Sequence, residues 1–168
     1  RGAGKNYSGS RTISFDVVNP RNAWRTVGGK TYYYGADGQP VKWSQKIGGY
    51  WYYFNGSGVM QRGWIAWKAD GSKSYFDGSG RALTGWQKLS GKWYYFDPAT
   101  GKSLRWGQKI GGNFFYFNEA SVMQTGWITW KADGKKSYFQ PGSGRALVGS
   151  HKLDGKWYYF DPLTGKTR

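Results

Sequence analysis

Gly85-Trp86-Gln87-Lys88-Leu89-Ser90-Gly91-Lys92-Trp93-Tyr94-Tyr95-Phe96-Asp97-Pro98 reads as one β-hairpin. A strand leaves at Gly85-Trp86, Ser90-Gly91-Lys92 turns it, and Trp93-Tyr94-Tyr95-Phe96 returns. Glycine in such a turn accepts the positive φ that a tight hairpin requires. Alternate residues of a strand share a face, so Trp93 and Tyr95 point one way, Tyr94 and Phe96 the other. One face is expected to pack inward and the other to meet a ligand.

Edited copies of this unit fill the chain from Trp24 to the C-terminus. Their leading positions are read as Trp24, Trp43, Trp64, Trp86, Trp106, Trp127 and Ser150, about 20 residues apart, which is a solenoid spacing. Gly28-Gly29, Gly48-Gly49, Asp70-Gly71, Gly111-Gly112, Asp133-Gly134 and Asp154-Gly155 mark turns. A longer period of about 63 residues lies over the short one: Trp43-Ser-Gln-Lys-Ile returns at Trp106, Gly63-Trp64-Ile-Ala-Trp67 at Gly126, and Lys92-Trp93-Tyr-Tyr-Phe at Lys156. Three hairpin types therefore recur in a fixed order.

Composition agrees with a thin, elongated array. The 168 residues hold 11 Trp, 14 Tyr, 9 Phe and 28 Gly, with few aliphatic side chains to build a compact core. The formal charge of +16 favours anionic polymers. With no Cys there is no disulfide framework and no thiolate metal site, and no apolar run is long enough to span a bilayer. Residues 1–20 stand outside the repeat. Ile13, Phe15 and Val17 alternate with Ser14 and Asp16, and the segment resembles the closing strands of an Ig-like β module. It is expected to be the tail of such an upstream module, or a linker, in a longer protein that begins before Arg1; residues 21–168 form the repeat domain.

The pattern G-W-x-x-x-x-G-x-W-Y-Y-F-x-x-x-G resembles the cell-wall-binding repeats of Gram-positive surface proteins, among them choline-binding modules. Related repeats occur in glucan-binding domains and in the C-terminal repeats of clostridial toxins. The resemblance implies an all-β solenoid of about seven hairpins, roughly three per superhelical turn. It also implies a secreted, cell-surface protein without catalytic activity in this region, holding choline on teichoic-acid-type wall polymers in aromatic cages between hairpins. An aromatic face suits a quaternary ammonium, which carries diffuse charge and donates no strong hydrogen bond. Carried onto this chain, the cages are Trp43, Trp51, Met60 and Trp64; Trp86, Trp93 and Trp106; and Trp106, Phe114, Met123 and Trp127. Lys73 and Lys136 stand where a cage needs Trp, so their units are expected to reject choline and to suit a phosphate or sugar. Trp67 and Trp130 are additional aromatics in those units. Thr31 replaces the return-strand Trp of the first unit, and Ser150 the leading Trp of the last.

The alternative ligand is glucan or another wall carbohydrate. Gln45-Lys46, Gln87-Lys88 and Gln108-Lys109 beside aromatics offer amide and ammonium contacts to hydroxyls. A host-adhesion scaffold is a third reading. Enzyme chemistry is not expected: Asp37, Asp70, Asp77, Asp133 and Asp154 precede Gly, Asp97 and Asp161 precede Pro, and His151 has no partner in a motif. No cofactor or metal is expected. Nucleic acid is disfavoured because the aromatics follow the hairpin period and no nucleic-acid-binding motif appears.

Overall fold

A computed structural model describes residues 18–168; the Ig-like reading of the N-terminal segment lies almost wholly outside the described residues. Every element among those residues is a β-strand: β1 (Ala23–Val27), β2 (Lys30–Tyr34), β3 (Trp43–Ile47), β4 (Tyr50–Phe54), β5 (Gly63–Ala66), β6 (Lys73–Phe76), β7 (Gly85–Leu89), β8 (Lys92–Phe96), β9 (Trp106–Ile110), β10 (Asn113–Phe117), β11 (Met123–Gln124), β12 (Gly126–Thr129), β13 (Lys136–Phe139), β14 (Gly149–Leu153) and β15 (Lys156–Phe160). They pair antiparallel as seven hairpins among the described residues: β1–β2, β3–β4, β5–β6, β7–β8, β9–β10, β12–β13 and β14–β15, called hairpins 1 to 7. Strand β11 adds a third strand to hairpin 5. No helix among the described residues is long and apolar enough to cross a membrane.

The alternation within each return strand decides burial. In β8, Tyr94 and Phe96 are buried while Trp93 is 37% exposed. Phe54, Phe96, Phe117, Phe139 and Phe160, each from a different hairpin, have essentially no exposed surface. Loss of one such ring costs about 3–5 kcal/mol, so the final aromatic of each return strand anchors its unit.

Neighbouring hairpins are fastened by a repeated backbone bond. The tail after each return strand donates an N–H to the return strand of the hairpin before it: Met60 to the Thr31 carbonyl (2.8 Å), Ala82 to Trp51 (2.9 Å), Ser103 to Lys73 (2.8 Å), Ala146 to Phe114 (2.9 Å) and Thr167 to Lys136 (2.8 Å). The packing follows the same order. Trp64 of hairpin 3 lies 5.1 Å from its own Tyr75 and 5.0 Å from Tyr94 of hairpin 4. Trp24, Trp86 and Trp127 make the equivalent pair of contacts. The inner face of each hairpin thus covers the outer face of its predecessor.

The register corrects the expected leading positions. Trp43 pairs with Phe54 and Trp106 with Phe117, just as Gly63 pairs with Phe76 and Gly85 with Phe96. Trp43 and Trp106 therefore occupy the glycine slot before the true leading position, which belongs to Ser44 and Gly107. Their φ angles of 65° and 67° match the slot, which Gly85 fills at 71°. A residue with a Cβ pays for this left-handed backbone by about 1–2 kcal/mol, which explains why the other slots from hairpin 3 onward carry glycine.

Candidate functional site

The register shift removes an indole from hairpins 2 and 5, and the chain replaces it from the next hairpin. Trp67 lies 5.3 Å from Tyr53, and Trp130 5.5 Å from Tyr116, about the distance at which a leading Trp normally meets that tyrosine. A Cβ on Gly107 would come within 3.0 Å of the Trp130 ring, a tight contact that favours a small residue at this position, where hairpin 2 has Ser44. The return strands opposite have shrunk to match. Ser74 and Ser137 take the place of a tyrosine such as Tyr94, and each accepts a 2.8 Å hydrogen bond from the inserted indole N–H. Each serine in turn donates at 2.6 Å to a carbonyl, of Gly101 or Gly165.

These substitutions make the junctions unequal. Between hairpins 4 and 5, Trp86 and Trp93 stand nearly perpendicular, 81° apart with centroids 6.4 Å away, and Phe115 packs 4.7 Å from Trp86. With Met123, these residues line a cavity of about 270 Å³ whose rim carries Ser143 and Arg145. Its walls are mostly apolar, and three of the lining side chains are aromatic.

Between hairpins 3 and 4 the frame is the same but Lys73 stands at the Trp93 position. Its Nζ lies 4.6 Å from the Trp64 centroid and 5.1 Å from that of Tyr94. A cation of the chain itself thus occupies the aromatic surface. Burial there, together with the nearby Lys92 ammonium, holds the Lys73 amine below the ordinary lysine pKa. Junctions 2–3 and 5–6 receive a lysine too. Lys102 Nζ lies 5.5 Å from Trp67 and 3.3 Å from Asp70, and Lys166 Nζ lies 5.0 Å from Trp130 and 3.2 Å from Asp133. The Ser72 hydroxyl and N–H and the Lys102 ammonium lower the Asp70 pKa to about 2. Lys136 is exposed, and at the last junction Lys156 is the lysine over Tyr158, at 5.6 Å.

The expected groupings change accordingly. Trp43, Trp51, Met60 and Trp64 do not converge: Trp43 is 57% exposed and its ring lies against Gly56. Trp51 lines the junction of hairpins 2 and 3, Met60 that of hairpins 1 and 2, and Trp64 that of hairpins 3 and 4. Trp86 and Trp93 do converge, but Trp106 is not with them, because its side chain leaves from the glycine slot. Phe115 and Met123 complete that set. Phe114 lies with Trp130 and Lys166 at the fifth junction, whereas Trp127 packs on hairpin 7. Phe115 was legible as the Tyr94 equivalent, one residue inside Phe114, once the strands are aligned on their final phenylalanine.

The Gln-Lys pairs have structural employment. Gln45, Gln87 and Gln108 donate their side-chain N–H to the carbonyls of Lys42, Thr84 and Arg105 at 2.8, 3.0 and 2.7 Å, bracing the entry of each hairpin. Lys46, Lys88 and Lys109 lie over the ring across the strand, at 6.0, 6.0 and 5.3 Å from Trp51, Trp93 and Phe114. Among the described residues no three His, Cys, Asp or Glu side chains gather as a metal site.

The repeats have recognisable relatives. The family model of the choline-binding repeat matches residues 44–82, 67–105 and 107–150, and that of the cell wall binding repeat matches 22–39 and 151–162. No curated protein matches significantly. Among solved structures, choline binding protein F from Streptococcus pneumoniae is similar at 29% identity and a TM-score of 0.70, over 86% of this chain and 51% of that one. CbpJ from the same species is similar at 25% identity and a TM-score of 0.70, over 83% and 49%. A further structure of choline binding protein F, in the presence of a tetrasaccharide-pentapeptide peptidoglycan analogue, shares 29% identity and a TM-score of 0.70, over 88% and 52%. The chain spans about half the length of these structures. Its repeats, matched over most of their length, place it plainly in the choline-binding repeat family.

Proposed function

We propose that this chain is a non-catalytic wall-binding module that takes a choline-type quaternary ammonium between hairpins 4 and 5. The observation that carries the reading is the set Trp86, Trp93, Phe115 and Met123, three aromatic rings and a thioether that line one cavity. Each aromatic face in contact with the ammonium contributes about 0.5–2 kcal/mol, and the methyl groups gain apolar cover. Junctions whose rings already carry Lys73, Lys102 or Lys166 are poor choline sites, because a second cation meets the first. Membership of the choline-binding repeat family supports the choice of ligand.

Under this proposal the hairpins wind as a solenoid of roughly three per turn, the geometry that the resemblance to the cell-wall-binding repeats implies and that would give the longer sequence period its meaning. In this reading the module sits at the cell surface and retains a larger protein on choline-bearing wall polymer. The net charge of +16 adds attraction to an anionic wall. A polymer bearing many choline groups raises retention through effective concentration, so one weak site per chain suffices when several chains meet one polymer.

The test is retention on immobilised choline with elution by free choline, run beside insoluble glucan, and a fluorescence titration of the tryptophans with choline. Choline-dependent retention that falls by about twofold to thirtyfold in Trp93→Ala is expected, from the loss of one cage wall. Retention on glucan alone, or unchanged choline binding in Trp93→Ala, overturns the reading.

A further inference from the structure

We infer that the groove beside Tyr50 and Trp51 of hairpin 2 is a separate binding site, built for a neutral hexopyranose unit of a glycan. It shares no lining residue with the cage between hairpins 4 and 5, and it stands or falls independently of the choline reading.

The groove encloses about 340 Å³ where three successive hairpins meet. Hairpin 2 supplies Tyr50 and Trp51, the tail of hairpin 3 supplies Asp77, Arg81 and Thr84, and hairpin 4 supplies Gln87 and Pro98. Three fastenings hold these walls together. The Ala82 N–H bonds the Trp51 carbonyl at 2.9 Å. The Trp51 indole N–H donates to the Ala99 carbonyl at 2.8 Å. Arg81 lies 4.0 Å over the Tyr50 ring, and its Nε donates to the Tyr52 hydroxyl at 3.3 Å.

The polar groups that remain open define the ligand. Asp77 Oδ1 accepts from the Ser79 N–H, the Ser79 hydroxyl and the Arg81 N–H. The Gln87 amide donates to the Thr84 carbonyl at 3.0 Å. Among the described residues Asp77 Oδ2, the Gln87 side-chain oxygen and the terminal guanidinium nitrogens of Arg81 have no hydrogen-bond partner. No buried side-chain polar atom among those residues is unpaired, so the Asp77 and Gln87 oxygens reach solvent, and Arg81 is itself exposed. The groove thus presents acceptors and a planar donor side by side, next to ring surface. A sugar hydroxyl both donates and accepts, so neighbouring hydroxyls match the carboxylate and the guanidinium together. The C–H surface of the ring finds cover on Trp51 and Pro98. A charged ligand fits worse: a phosphate meets the Asp77 carboxylate, and an ammonium meets Arg81.

The fold does not demand this set. In the second block of three hairpins Asn113 stands for Tyr50, Gln140 for Asp77, Val148 for Thr84 and His151 for Gln87, at equivalent places in the pairing. The same hairpins form there without the stacked ring, the carboxylate or the hydroxyl.

The experiment titrates methyl glucoside, galactoside and mannoside into the whole chain and follows chemical shifts by NMR. At least one is expected to bind, and the 6-phosphate and 2-amino forms of that sugar bind more weakly. Asp77→Asn and Arg81→Gln each weaken binding by about tenfold, the worth of one hydrogen bond to a charged group. Asp77→Asn keeps the turn, since Asn55 accepts the equivalent backbone bonds in hairpin 2. Tyr50→Asn, the residue of the second block, weakens binding by about twofold to tenfold, and Trp93→Ala leaves it as it was. Binding of none of the three sugars overturns the inference, as does tighter binding of either charged form, or an affinity unchanged in both Asp77→Asn and Arg81→Gln. Retention on immobilised choline is read separately on the same protein, so failure of the sugar site leaves the choline reading standing.

Discussion

The junction between hairpins 4 and 5 and the junction between hairpins 3 and 4 share one frame and differ in what stands at the third wall. Both have a leading tryptophan, Trp86 or Trp64, and a buried aromatic, Phe115 or Tyr94, from the following hairpin. In the first, Trp93 closes the third wall and leaves a cavity; in the second, Lys73 brings its own ammonium to the rings. The hairpin scaffold tolerates either arrangement because the position faces outward and takes no part in the buried phenylalanine row. Under the proposed reading, one side chain per junction decides between a site satisfied from within and a site that waits for a ligand.

Exchanging the two residues is the most severe way to break that contrast. Trp93→Lys fills the open cage with a tethered cation and is expected to abolish choline-dependent retention, the repulsion adding to a loss of about twofold to thirtyfold from the missing wall. Lys73→Trp is expected to add a weaker second site, read as a rise in calorimetric stoichiometry. It is weaker because Ser103 stands where Met123 completes the natural cage. An unchanged stoichiometry would show that removing the internal cation is not enough to open a junction. Next in size is the cost of removing the inserted indole. Trp67→Ala leaves a void against Tyr53 and removes the indole N–H that donates to the Ser74 hydroxyl, and should lower stability by about 3 kcal/mol in urea denaturation. Trp106→Ala, at a residue 48% exposed, should cost well under about 1 kcal/mol, the size of an ordinary surface change.

The smallest expected effect is on pH. Asp70 has its pKa lowered from 3.8 to about 2 in the folded chain, so the unfolded chain binds the proton more readily. Its contribution is fully present above about pH 4 and is lost as pH falls toward 2. Its side chain and that of Lys102 are close to half exposed, so solvent screening keeps the effect modest. Melting curves between about pH 5 and pH 2 should show a decline that Asp70→Asn reduces. Asp133, held down first by the Lys135 N–H and then by Lys166, contributes with the same sign.

Much of this architecture was legible in the residues. Strand alternation put Tyr94 and Phe96 on one face and Trp93 on the other, and burial shows the Tyr94–Phe96 face to be the inner one. The Lys73 substitution marked its junction as different. Spacing alone misassigned Trp43 and Trp106, because a shift of one residue is invisible against repeats whose lengths already vary. The useful signal was local: Lys42 and Arg105 precede these two tryptophans, whereas glycine precedes Trp64, Trp86 and Trp127. Paired with Ser44 or Gly107, and with Trp67 or Trp130 further along, that missing glycine announces a relocated indole. The employment of Gln45, Gln87 and Gln108 within their own turns could not be read, since a side-chain bond to a carbonyl three residues back leaves no trace in composition.

The open cage draws Trp86 and Trp93 from one hairpin and Phe115 and Met123 from the next. A molecule held there acts as a staple across two units, and it stabilises their contact by RT ln(1 + [L]/Kd). Junctions that contain a lysine of the chain have their staple permanently in place. Under the proposed reading, the stiffness of this array under tension would be adjustable near its middle, where a polymer bound in the cage would set how much force parts hairpin 4 from hairpin 5.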